Sequence, residues 1–133
     1  MRWTDPELQA LVRALEPVLH PGVYAYSVAP LDVDLGALDA VALLREAEGW
    51  TVVAEESQIQ RAGLPVLFRA AWITLTVRSD LHAIGLTALF STALADARIS
   101  CNVIAGANHD HLFVPIELAD QALAILRALQ RSA

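Results

Sequence analysis

From Ala71 to the C-terminus the apolar residues alternate between strand and helix periods, and this succession restricts the fold more than any other feature of the chain. "AWITLTV" (71–77) is β-branched and aromatic, a strand signature. Ser79 or Asp80 can cap a helix through "LHAIGLTALFSTALADA" (81–97), with Leu81, Ile84, Ala88, Leu89, Ala93 and Leu94 on one stripe. "ISCNVIAG" (99–106) reads as a strand, "ANHD" as a turn and "HLFVPI" (111–116) as a strand. "ELADQALAILRALQ" (117–130) closes the chain as a helix whose Leu118, Ala122, Ile125 and Leu129 face a core. Strand, helix, strand, strand, helix is most of a ferredoxin-like unit. Its missing last strand must come from the other half of the chain or from a partner subunit.

The first half is less regular. Thr4 and Asp5 offer caps, Pro6 suits a first helical turn, and Glu7 completes a T-x-x-E pattern. Leu8, Leu11, Val12, Leu15, Val18 and Leu19 then share a helical stripe that His20-Pro21-Gly22 stops. "VYAYSVA" (23–29) predicts a strand and "PLDVDLG" a loop. Residues 37–54 read two ways. Propensity favours a helix from Leu38 to Glu48, whereas a turn at Glu48-Gly49 makes the same segment a hairpin ending in "WTVVA". "EESQIQRAG" predicts a short helix stopped at Gly63. "LPVLFRAAWITLTVRS" is β-rich, and its two halves suit different subdomains.

With 56% hydrophobic and 18% charged residues, the chain can bury a core and further surface in an oligomer. Apolar stretches break well before the roughly 20 residues of a membrane helix. The N-terminal segment carries charges throughout and lacks the apolar centre of a signal peptide. A lone Cys101 excludes an intramolecular disulfide, so a cytoplasmic protein is expected. Net charge is −6, and all nine basic residues are Arg. Without lysine there is no Schiff-base or phosphate-loop chemistry of that kind. The arginines are scattered, which argues against nucleic acid as a partner.

"REAEGWTVV" (45–53), "WITLTVRSDLHAIGLTA" (72–88) and "ISCNVIAGANHDHLFVP" (99–115) resemble a bacterial family of tandem ACT-domain proteins, over residues 20–130. ACT domains are β-α-β-β-α-β modules, similar to the regulatory halves of aspartate kinases, where they bind amino acids at domain or subunit interfaces. The resemblance implies an α+β fold of two ferredoxin-like ACT repeats, the first degenerate: an N-terminal helix at 1–20, a first repeat at 21–70 and a second at 71–133. It favours the hairpin at 40–54 and leaves little room for a helix between residue 29 and that hairpin. The chain departs from the family at Arg78 and Asp80, where a small polar residue or His is expected. An added carboxylate there would disfavour an anionic ligand.

The helix start in "RSDLHAIGLTA" is the leading binding feature, because a helix N-terminus presents unpaired N–H groups to a carboxylate. Gly85 falls inside that expected helix, at a cost of up to about 1 kcal/mol that close packing or a ligand would have to offset. Asn102 interrupts an apolar strand, with Cys101 and Val103 on the opposite face, and a buried amide there needs partners. His109 and His111 share a strand face, but a metal site needs about four ligands and no further ligand spacing is present. That turn is expected to shape a pocket or interface, or to confer pH sensitivity. Glu46 and Glu48 flank the first-half turn and could receive an ammonium group or simply be solvated. The expected ligand-binding set is Asp80, Leu81, Gly85, Leu86, Asn102, Val103, Ile104, His109, Asp110, Glu46 and Glu48, with no catalytic or metal residue and no cofactor. The expected role is non-enzymatic: a homo-oligomer, expected as a dimer, binding a small molecule such as an amino acid between repeats or subunits. The alternatives are an oligomerisation module without ligand and a metal-assisted enzyme using His109 and His111.

Overall fold

Asp5 starts the first helix. Its carboxylate accepts from the N–H groups of Glu7 (2.8 Å) and Leu8 (3.3 Å), capping α1 (Pro6–Arg13). The computed structural model describes residues 5–133, so the expected Thr4 cap lies outside the described residues. The helix is shorter than the apolar stripe suggested, because Pro17 disfavours helical backbone at Glu16. Glu16 turns instead with φ 42°, and Pro17–Leu19 form a short strand, β1. Gln130 holds this turn: its amide donates to the Arg13 carbonyl and the Glu16 carboxylate, both at 2.8 Å. Val18 and Leu19, expected on the helix, are strand residues.

The chain divides into two units, one inserted into the other: residues 21–70, and residues 5–20 with 71–133. The inserted unit runs β2 (Tyr24–Ala29), a loop over 30–39, β3 (Ala40–Glu46), β4 (Gly49–Glu55), α2 (Glu56–Arg61) and the first three residues of β5 (Phe68–Leu75). Its strand order is β3-β4-β2-β5, antiparallel throughout. This is the ferredoxin-like order with the first helix replaced by a loop. The helix that propensity favours over Leu38–Glu48 is a hairpin strand: Leu43 and Leu44, adjacent in sequence, are 46% and 61% exposed and form no helical stripe. Gly49 makes the hairpin possible. Its φ is +149°, and a Cβ there would lie 2.6 Å from the Ala29 carbonyl oxygen. The core of this unit is Ala25, Ala29, Val52, Ala54 and Ile59, with Leu35, Leu38, Trp50 and Leu64 packed against it.

The discontinuous unit continues from Ala71 through the rest of β5, then α3 (Leu86–Asp96), β6 (Asn102–Ala105), β7 (Asp110–Pro115) and α4 (Ala119–Ser132). Its strand order is β1-β5-β7-β6. The last strand missing from the C-terminal half is therefore β1, which pairs antiparallel with β5 from Pro17↔Leu75 to Leu19↔Ile73. Helices α1, α3 and α4 pack together over a core that includes Leu8, Val12, Ile73, Leu75, Phe90, Leu94, Leu112, Val114 and Leu126. Helix α3 starts five residues later than its expected stripe. Leu81 and Ile84 are 68% and 77% exposed, and Leu86, Phe90 and Leu94 make the buried face. Gly85 is not interior but the residue preceding the helix, with φ +100°. Among the described residues no helix is long and apolar enough to cross a membrane.

Candidate functional site

The start of α3, like those of α2 and α4, carries no side-chain cap. Gly85 has no side chain to cap it, so no side chain satisfies the first-turn N–H groups. Asp80, the expected cap, is used elsewhere: its carboxylate accepts from the His82 N–H at 2.7 Å and stabilises the preceding turn. Beside this helix start lies a cavity of about 70 Å³, lined by Ser79, Asp80, Leu81, Leu86, Thr87, Gly106 and Asp110 among others. Pockets for drug-sized ligands run to about 300–1,000 Å³, so this one has room only for the polar end of a small molecule.

Asp110 is the chemically distinctive group in its wall. It opens β7 on the same face as the core residues Leu112 and Val114 and is only 8% exposed. Burial raises its pKa above the ordinary carboxylate value, an effect that nearby His111 and a hydrogen bond from Ser79 partly offset.

Four of the expected ligand residues, Asp80, Leu81, Leu86 and Asp110, thus line one cavity, with Gly85 at its helix. The others do not. Asn102 is exposed rather than buried, since β6 ends the strand order, and Val103 turns to the core while Ile104 is half-buried. His109 is half-buried, with Nδ1 3.5 Å from the Val77 carbonyl. Glu46 and Glu48 sit exposed at the hairpin turn of the inserted unit, where the Glu46 carboxylate accepts from the Thr51 hydroxyl.

His111 belongs to a second cluster that the sequence reading did not assemble. Its Nδ1 accepts from the Trp72 indole N–H at 3.1 Å. The Thr74 hydroxyl bridges two imidazoles, 3.0 Å from His111 Nδ1 and 2.7 Å from His20 Nε2. His20 in turn stacks on Trp72, with ring centroids 3.5 Å apart and planes 7° from parallel. An indole N–H can only donate, so Nδ1 is the unprotonated nitrogen and the neutral ring carries its proton on Nε2. Both histidines have lowered pKa values. Burial is the main cause for each; His20 and His111 are lowered further by His111 and His109 respectively, and Asp110 opposes the shift at His111. The period of two in "WITL" places Trp72 and Thr74 on one face, and that signal was available in the sequence. The half-buried Cys101 is a poor nucleophile, its thiol pushed up to about 11 by burial. Among the described residues no three His, Cys, Asp or Glu side chains converge as metal ligands.

Two ACT-domain family models match the chain in tandem, at residues 5–71 and 68–128. A Vibrio cholerae protein of unknown function, described as a possible transport protein, has a crystal structure similar to this one. It is 42% identical, with a TM-score of 0.85 over 93% of this chain and 96% of that one. A protein from Agrobacterium tumefaciens is 15% identical, with a TM-score of 0.67 over 86% of this chain and 87% of that one. The ligand-free regulatory subunit of aspartate kinase from Thermus thermophilus is 10% identical, with a TM-score of 0.65 over 87% of this chain and 97% of that one. At such identities the last two likenesses concern the fold alone. No curated protein matches the chain.

Proposed function

We propose that this chain, which belongs to the ACT-domain family, is a regulatory protein that reversibly binds an amino acid at the start of α3. One observation carries the reading. The buried carboxylate of Asp110 and the uncapped N-terminus of α3 border the same small cavity. They call for opposite charges. The carboxylate suits an ammonium group, and the helix N–H groups suit a carboxylate. The main-chain end of an amino acid carries both, and the cavity is of a size for that end alone. Burying Asp110 without a cation costs the free protein stability, and a ligand ammonium would relieve that cost. Regulation further requires that the ligand bind one state of the chain better than another. The same reading has the protein acting as a homodimer in the cytoplasm, without nucleic acid or a resident cofactor, and as a binder rather than an enzyme.

A thermal-shift screen against the common amino acids at millimolar concentration tests this. At 100 times its dissociation constant a ligand should stabilise the protein by about 2.7 kcal/mol. Asp110→Asn should abolish that shift while making the ligand-free protein more stable. If no amino acid shifts the wild type, the ligand-free oligomerisation module becomes the better description.

A further inference from the structure

Three residues make β1, the shortest strand among the described residues, and they supply the strand that the C-terminal half lacks. The two ends of β1 are fastened differently. Before it, Gln130 of α4 holds Arg13 and Glu16. After it, the His20 N–H donates to the Trp72 carbonyl at 2.9 Å, and the His20 ring rests on Trp72 and Thr74. The chain enters the inserted unit at the next residue.

Only one arrangement of protons satisfies every contact of this second fastening. Thr74 has a single hydroxyl hydrogen for two imidazoles. His20 Nε2–H donates to the Thr74 oxygen, the Thr74 hydroxyl donates to His111 Nδ1, and Nδ1 is shared with the Trp72 indole N–H. If His20 Nε2 accepted instead, the 3.0 Å contact between Thr74 and Nδ1 would contain no hydrogen. A further proton on His20 leaves the chain of bonds intact, because Nε2 already donates. A proton on His111 Nδ1 meets two donors, and both the indole and the hydroxyl lose their acceptor. His20 and His111 are half-buried, within reach of protons from solvent. The ionisable groups acting on the pair are the two rings themselves, His109 in the turn before β7, and Asp110 on the opposite face of β7. Asp110 favours the proton on His111, but burial and His109 outweigh it. The neighbours from β1, β5 and β6 on this face, Val18, Trp72, Thr74 and Ile104, carry no charge.

We propose that His111 is a proton-operated latch on β1. When it takes up a proton, Trp72 and Thr74 release it, His20 loses its seat, and residues 18–20 detach from β5. The detached state exposes unpaired backbone along β5 at 72–74 and is a second state for a partner to select. The inference does not rest on the cavity at α3.

Hydrogen exchange of the full chain by NMR between pH 8 and 5, corrected for intrinsic exchange, tests this. The Trp72 indole N–H and the His20 amide should lose protection as the His111 ring titrates. A released imidazole titrates at its ordinary 6.5, and each pH unit below that favours the open state by up to about tenfold. Amides of α3 and α4 should keep their protection. His111→Gln keeps an acceptor for Trp72 and should make the His20 amide indifferent to pH. Trp72→Phe removes one of the two donors and should raise the pH at which His111 titrates. Loss of protection in α3 and α4 in step with His20 would be global unfolding and would overturn the proposal. So would a His20 amide that stays protected while His111 titrates, a wild-type pH response in His111→Gln, or a His111 that takes up no proton above pH 5.

Discussion

Among the described residues, the discontinuous unit lays three α-helices on its strands, and the inserted unit lays a single α-helix of six residues on strands of the same order. The consequence shows in the cores. Among the described residues, fifteen make up the buried cluster of the first, with Phe90 at full burial. Five make up that of the second, three of them alanines. Apolar burial stabilises by roughly 25 cal/mol per Å², so the smaller cluster gives its unit much less to hold it together. The missing helix therefore thins a core.

The largest test of this contrast is in the thicker core. Phe90→Ala removes a fully buried ring and should cost about 3–5 kcal/mol, read as a fall in the denaturation midpoint. Next comes Ile59→Ala, which removes the largest side chain of the thinner core and should cost about 2–4 kcal/mol. Hydrogen exchange would show where. If the inserted unit is the weaker one, protection should fall over residues 24–70 and persist in α3, β7 and α4. A uniform fall would mean that the two units unfold together and that the contrast in their cores has no thermodynamic counterpart. Smaller again is Gly49→Ala, which puts a methyl 2.6 Å from the Ala29 oxygen at φ +149°. A loss of ~1–3 kcal/mol is expected, the usual cost of forced backbone strain. An unchanged midpoint would show that the hairpin can shift to accept it.

The same contrast decides what could be read from the sequence. In the C-terminal half, period and burial agree, so β5, α3, β6, β7 and α4 are legible in order. The errors there are at ends. Leu81 and Ile84 prolong the stripe of α3 in sequence, but the left-handed Gly85 starts the helix after them. In α1 the overlooked signal was Pro17. Residues 38–48 are rich in helix formers and become a strand because β4 offers an edge to pair with, a tertiary effect outside local propensity. Of the residues beside the α3 cavity, Asp80, Leu81 and Leu86 were singled out because they border one helix start, and Asp110 because it shares a turn and strand with His109 and His111. His20, Trp72, Thr74 and His111 were not assembled, because their meeting depends on β1 and β7 flanking β5, and no spacing in the chain announces that order.

The smallest effects concern pH, and they set two groups of one strand against each other. His111 has a folded pKa below its ordinary 6.5, so the unfolded chain takes up the proton more readily. Stability from this group is complete above 6.5 and is lost as pH falls toward the folded value. Burial is the main cause, with His109 adding to it, and a proton on Nδ1 would also face the Trp72 N–H and break that hydrogen bond. His20, lowered in the same direction, adds to the slope. Asp110 runs the other way. Its folded pKa lies above 3.8, so the native state holds the proton more tightly, and the penalty of its charge is complete at neutral pH and disappears on acidification. Midpoints of thermal unfolding between pH 4 and 8 separate the two. His111→Gln keeps an acceptor for Trp72 but cannot take up a proton, and should flatten the decline below 6.5. Asp110→Asn should exceed the wild type most at neutral pH, with the gap closing in acid. A gap that stays constant with pH would mean that the gain comes from packing rather than charge, and would remove the electrostatic reason for placing an ammonium group beside Asp110.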